Sequence, residues 1–242
     1  MTESGAKTSK TGLKWSIPAL ALLAIGALAW WLVGSGAREA AAELLAQPAY
    51  QVLKRHEPEA WKRVLAAHES AKADASKRAE FINVSNTEFS AAATRRLARA
   101  SADAQLALMR DMVSTLRLLR SRPGDACFHY LYPEIDGGAD VARELAADAQ
   151  ARTLSLSAEV IRSSAENPSA ASDPQAAAAQ LGPIVDAVYA EFGPDTQMLA
   201  HAREPGVDRV KVCDIALSLY QRILALPATD AARVFSAVAS PE

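Results

Sequence analysis

Residues Trp15 to Val33, WSIPALALLAIGALAWWLV, form one uncharged apolar run directly behind the only lysine-rich stretch at the start of the chain. No charged side chain occurs from Trp15 to Ala37, and at about 1.5 Å per residue such a helix reaches roughly 30 Å, the thickness of a bilayer's hydrocarbon core. Trp15 at one edge and Trp30 with Trp31 at the other suit the two headgroup zones, where an indole buries its ring and keeps its N–H wet. The expectation is a membrane anchor over 15–34. Secretory apolar cores run only about 7 to 15 residues, although Ser35-Gly36-Ala37 offers a small-x-small cleavage site before Arg38.

Sidedness follows from the flanks. Lys7, Lys10 and Lys14 precede the run, opposed by Glu3, and Arg38, Glu39 and Glu43 follow it. By the positive-inside rule residues 1–14 form a cytoplasmic tail, and the remainder is exported. The expected location is the bacterial inner membrane, single-pass, with the C-terminal domain periplasmic. Small residues in the run never recur at a spacing of four, so no GxxxG-type dimer face is expected there.

Without that leader the chain carries 23 basic against 27 acidic residues. Nucleic acid is an unsuitable partner for such a balance, because phosphate binding needs a concentrated surplus of Lys and Arg. Alanine supplies 53 of 242 residues, consistent with helix throughout. The expected fold class is all-α, with one N-terminal transmembrane helix followed by an irregular multi-helix periplasmic domain. A juxtamembrane helix over 35–47 leads into that domain, 48–242, which carries a linker near 164–174, SAENPSAASDP.

Cys127 and Cys213 are the only cysteines, and both lie on the exported side. An oxidising compartment favours their pairing, and they are expected to form a disulfide that clamps the C-terminal part onto the middle of the chain. The alternative, Cys127 as a nucleophile served by His129, fails on geometry, since residues two apart on a helix diverge by about 200°. CxxC and CxxCH are absent, which argues against thioredoxin-like redox chemistry and covalent haem.

Proline, glycine and capping residues divide the exported part into helices. Pro58 begins one running to about Phe81, with Trp61, Val64, Leu65 and His68 on one side. Asn83-Val84-Ser85-Asn86-Thr87 reads as a turn, with Thr87 and Ser90 capping a short helix that carries Arg95, Arg96 and Arg99. Ser101 caps the strongest helix, in which Leu106, Met109, Met112, Val113, Leu116 and Leu119 recur at helical spacing until Pro123-Gly124. A single alanine-rich helix is expected from Ala139 to Ser163. Asp173-Pro174 starts another, which Gly182-Pro183 breaks or kinks. The last long helix, Val207 to Leu226, places Val210, Cys213, Leu217, Tyr220 and Leu224 on its apolar face, and Thr229 caps a final short one.

Motifs for chemistry are sparse. His56, His68, His129 and His201 form no metal-ligand spacing, and Asp136 with Asp140 lacks the calcium-loop pattern. No GxSxG, Walker loop or GxGxxG occurs. No catalytic, metal or cofactor residue is assigned, and no cofactor is expected. Arg95, Arg96 and Arg99 form the most basic cluster, and Phe128, His129, Tyr130 and Tyr132 concentrate aromatics beside Cys127. These two groups are the candidate interaction residues. The sequence supports a protein-interaction or scaffold component of the cell envelope, held by the lipid bilayer and engaging another envelope protein. The alternative is an envelope enzyme or small-ligand binder with a pocket near His129, Tyr130 and Tyr132.

Overall fold

The computed structural model describes residues 38–136, 138–170 and 173–239. The tail, Trp15, Trp30, Trp31, the anchor and the Ser35-Gly36-Ala37 site lie outside the described residues. Among those described, no helix is long and apolar enough to cross a membrane.

Every regular element described is helical: α1 (38–45), α2 (Pro48–His56), α3 (Pro58–Ala73), α4 (Arg78–Arg96), α5 (Ala102–Arg120), α6 (Ala126–Leu131), α7 (Val141–Glu144), α8 (Ala147–Glu166), α9 (Pro174–Phe192), α10 (Arg209–Leu224) and α11 (Ala228–Ala239), with short 3-10 turns between some of them. They form two groups. In the first, α1 to α4 and α8 bury Leu44, Tyr50, Leu53, Trp61, Val64, Phe89 and Ile161 together. In the second, α5, α9, α10 and α11 enclose Met109, Ile184, Val188, Ile215, Ile223 and Phe235. Helix α8 packs on α2 and α4 and also on α5, which joins the groups.

Helix α1 docks onto the domain. Ala40 and Leu44 are each 2 % exposed, and Lys72 Nζ of α3 donates to Glu43 Oε2 at 3.1 Å. The buried His68 Nε2 lies 3.5 Å from the same oxygen.

The segment expected to turn at 83–87 is the interior of α4. Local turn chemistry loses to tertiary contacts that the segment's polar side chains make. Asn83 Nδ2 donates to Asp140 Oδ1 at 3.1 Å, and its Oδ1 accepts from Ala142 N at 3.2 Å, which caps α7 from outside. Asn86 Nδ2 donates to Ile82 O at 2.9 Å. Ser85 is buried against the Tyr50 hydroxyl at 3.5 Å. The break comes earlier, where α3 ends at Ala73 rather than Phe81 and Asp74 accepts from Ser76 N at 2.9 Å.

Three further boundaries differ from expectation. The helix expected over Ala139–Ser163 is divided at Leu145, whose extended backbone lets its side chain enter the core, while Gln150 Nε2 donates to the carbonyls of Val141 and Leu145 at 3.1 and 2.7 Å. Helix α8 then runs through the buried Ser164 to Glu166, so the connection is shorter than 164–174. Pro183 does not break α9. It sits on the exposed side and forfeits one backbone bond, while Ile184 and Val188 hold the helix in the core. In α10, Val210 is 40 % exposed and the buried side is Val212, Cys213, Ile215, Ala216, Leu217 and Ile223. Thr229 lies within α11's first turn, not before it.

The Ser101 helix is as expected: Ser101 Oγ accepts from Ala104 N at 3.3 Å, and Leu106, Met109, Val113, Leu116 and Leu119 are buried.

Candidate functional site

Cys127 on α6 and Cys213 on α10 sit at disulfide distance, Cα–Cα 6.1 Å, across a sequence separation of 86. Their placement follows from the helices that carry them. Val113, Leu116 and Leu119 of α5 form a floor on which both α6 and α10 rest, with Val141, Leu145 and Leu217 closing the sides. Both cysteines are buried, at 3 % and 1 % exposure.

A polar clamp stands beside this pair and joins the same two elements. Arg209 opens α10, and its Nη1 donates to Asp125 Oδ2 at 2.7 Å while Nη2 donates to Asp136 Oδ2 at 2.6 Å. Its guanidinium carbon lies 5.0 Å from the centre of the Phe128 ring, a cation–π contact that adds to the ion pairs. His129 Nε2 is 3.1 Å from Asp125 Oδ2 and 3.2 Å from Arg209 Nη1, and Nδ1 is 3.2 Å from Ile135 O. With Nδ1 donating to that carbonyl, Nε2 accepts from Arg209. The Arg209 hydrogen bond holds the Asp125 carboxyl below its usual range against the opposing effect of burial. Asp136 adopts φ 50°, a left-handed conformation stabilised by the Arg209 contact at the tip of the loop.

The aromatic residues expected near one another divide between two environments. Phe128 is buried and stacks on Tyr132 at 5.0 Å, with Arg203 5.8 Å from the Tyr132 ring. Tyr130 turns the other way into the cysteine core. Burial pushes its hydroxyl up to about 12, with the negative charge of Asp111 adding to the rise and a hydrogen bond with Thr115 opposing it. Asp111 is itself 6 % exposed and accepts from Arg152 Nε and Thr153 Oγ1, both at 2.6 Å. His129, Tyr130 and Tyr132 therefore do not converge on one cavity. Both ring nitrogens of His129 are occupied within the clamp.

Two open surface depressions lie elsewhere. One is a shallow hollow along α4 between Glu80, Asn83, Val84, Thr87 and Glu88. The other, about 650 Å³, lies where α9 meets α10, with Phe192 and Leu217 at its floor and Glu191, Asp214 and Arg222 on its rim. Its charges are paired: Glu191 Oε2 accepts from Ser218 Oγ and Arg222 Nη2 at 2.7 and 3.0 Å, and Asp214 receives both arms of Arg120 at 2.6 and 2.9 Å. Among the described residues no three His, Cys, Asp or Glu side chains come together as metal ligands.

The arginine cluster is largely internal. Arg95 Nη2 donates to Glu57 Oε2 at 2.9 Å, Arg96 Nε donates to the other carboxylate oxygen, and Arg96 Nη2 reaches His56 O at 3.0 Å. The two arginines clamp the end of α4 to the α2–α3 corner. Arg95 and Arg99 are both exposed, and the Arg99 carbonyl accepts from Ser169 N at 2.9 Å. Burial works to raise the Glu57 pKa, but Arg96 and Arg95 outweigh it and hold the carboxyl below its ordinary value of 4.5. A depressed folded-state pKa contributes stability above the unfolded value that is lost as pH falls through the folded one. Glu57→Gln is accordingly expected to lower the denaturant midpoint at pH 7 and to narrow its gap from wild type below about pH 4. Urea titrations at pH 7 and pH 3.5 check this, and an undiminished gap at pH 3.5 would contradict it.

Sequence spacing places Ile184, Val185, Val188, Tyr189 and Phe192 on one apolar face of α9, but only Ile184 and Val188 of these are buried. Its outer surface carries Val185 and Tyr189 one turn apart, 41 % and 52 % exposed, with Ala178, Gly182 and Ala190 also exposed on that side. The scarcity of charged residue types is plain in the sequence: between Pro174 and Phe192 the only Asp, Glu, Lys or Arg residues are Asp186 and Glu191. Compared with known protein families, curated proteins and solved structures, the chain matches none of them.

Proposed function

We propose that the chain is a membrane-tethered interaction module, an all-helical periplasmic domain held to a bacterial inner membrane by residues 15–34 and engaging another protein of the envelope. The observation that carries the reading is the exposed face of α9. Isolated exposed apolar side chains are ordinary, but Val185 and Tyr189 are neighbours on one helical stripe and have no covering element among the described residues. Adjacent exposed apolar groups on a soluble surface mark contact sites. The same face carries no Lys or Arg and one acid, Asp186, which favours a protein over an anionic lipid surface as the occupant. An anchor adds to such a contact by holding the face at high local concentration in the membrane plane.

Chemical crosslinking of intact cells, followed by affinity capture of the full chain from membranes, tests the reading. A discrete crosslinked species in wild type that disappears in Tyr189→Asp is expected. Identical profiles for the two chains, with no species beyond the free protein, would contradict it.

A further inference from the structure

We infer that His68 and Glu43 form a pH-sensitive latch that holds helix α1 on the domain and tightens when His68 takes up a proton. The latch is independent of the α9 face.

Helix α1 (38–45) is too short to persist in water without tertiary support. Its seat is small. Ala40 and Leu44 are its buried side chains, and Ala41 and Leu45 pack at the edge of the same core. Gln51 Nε2 caps its end by donating to Leu45 O at 2.8 Å. On so few anchors, one polar contact carries a large share of what keeps α1 in place.

That contact is unfinished while the imidazole is neutral. His68 of α3 is 8 % exposed, and its Nε2 is buried with no hydrogen-bond partner among the described residues. Glu43 Oε2 of α1 lies 3.5 Å from it. A neutral ring with its proton on Nδ1 sets the Nε2 lone pair against this carboxylate, and one with its proton on Nε2 makes only a long contact at such a separation. A second proton makes both nitrogens donors and supplies a charge-assisted hydrogen bond to Glu43. The contribution is present at low pH and is lost as pH rises through the range in which histidine changes charge.

The groups around His68 come from three helices. From α1, Glu43 and Glu39 bring two carboxylates. On α3 itself, Lys72 Nζ donates to Glu43 Oε2 at 3.1 Å and lies 3.8 Å from Glu39 Oε1. The lysine that opposes a second cation is thus held by both acids. From α4, the Phe81 ring centre lies 4.9 Å from that of the imidazole, a neighbour that favours the cationic form. Lys77 and Glu80, which precede Phe81, pair with one another at 3.0 Å, and Arg78 is exposed. Lys72 holds the Glu43 carboxyl below its ordinary value, and His68 adds to the same effect.

His56 is the contrasting case. Its Nε2 is 3.7 Å from Glu166 Oε1, but Arg55 and Arg162 already approach that carboxylate at 3.5 Å each. A proton on His56 adds a third cation to one acid, at the α2–α8 contact and away from α1. On the tethered reading, release of α1 exchanges about 12 Å of helix for roughly 28 Å of extended chain between anchor and domain. The latch then sets how far the domain reaches from the membrane.

Hydrogen–deuterium exchange of the full chain in detergent micelles, at pH 5.5 and 7.5 with correction for the intrinsic rate, tests the latch. Between these values carboxylates and lysines keep their charge while histidine changes its own. Protection of the amides of 42–46 is expected to be about fivefold higher at pH 5.5, with protection in α5 unchanged. His68→Gln should remove the difference. Glu43→Gln should remove it too, and it alters a side chain that is 58 % exposed, so the core stays intact. His56→Gln should leave the difference in place. Equal protection of α1 at the two pH values would overturn the proposal. So would a difference that survives either latch variant, one that His56→Gln abolishes, or one that α5 shares.

Discussion

Replacing Cys127 by Ser is expected to lower the stability of the helical domain by about 4.6 kcal/mol, the chain-entropy value for releasing so long a loop. The estimate follows from the 86-residue separation and from a Cα–Cα distance of 6.1 Å, which lies within the range a disulfide spans without backbone movement. The domain should nonetheless stay folded in the variant. Arg209 ties α10 to Asp125 before α6 and to Asp136 after it, so the same elements remain joined when the sulfur link is lost. Urea unfolding of wild type and variant measures the difference. On a denaturing gel the wild type should migrate faster unreduced than reduced, and Cys127→Ser should show no such shift. Two thiols that alkylate freely in denaturant, with no mobility difference, would show that the cysteines do not bond.

The second large effect is expected at Asn86. If residues 83–87 turned, proline there would be tolerated or mildly stabilising. In the interior of α4 it removes a helical hydrogen bond and its ring meets the carbonyl of Ile82, which also accepts from the Asn86 side chain. Asn86→Pro should therefore cost about 3 kcal/mol or more. It would also disturb Ser85 and Phe89 on the buried side and Asn83, whose side chain caps α7. Asn86→Ala, which keeps the helix, separates backbone from side-chain effects. A proline variant within about 1 kcal/mol of the alanine variant would restore the turn.

What was legible in the sequence and what was not divide along the range of the interaction. Helix α5 was legible because its cap and its apolar spacing lie within the helix itself, from Ser101 to Leu119. The cysteine pair was legible because only two cysteines exist in the sequence, which leaves each a single possible intrachain partner. The α4 interior was not, since the partners that make Asn83 and Ser85 acceptable in a helix are Asp140, Ala142 and Tyr50, all far away in sequence. The division of α7 from α8 was hidden for a similar reason: a core position for Leu145 and the reach of Gln150 decide it. At the candidate sites, Arg95 and Arg96 looked like a free basic patch because Glu57, 38 and 39 residues earlier, does not signal its position. Of the aromatic residues that follow Cys127 in sequence, Tyr130 packs with it in one core cluster, whereas helical geometry sends Phe128 and Tyr132 to another, beside Val212 and Ala202. Val185 and Tyr189 read in sequence as one apolar face with Ile184, Val188 and Phe192, because an alanine-rich apolar helix reads as core until its exposed side is known.

The central claim is that the domain is exported and tethered, and its sidedness is the property to measure. With distinct epitopes at the two ends of the full chain, intact spheroplasts are treated with protease and compared with lysed ones. The account expects loss of the C-terminal epitope from intact spheroplasts and retention of the N-terminal one in the membrane fraction until lysis. Protection of the C-terminal epitope in intact spheroplasts would contradict it, placing Cys127, Cys213 and the α9 face on the cytoplasmic side.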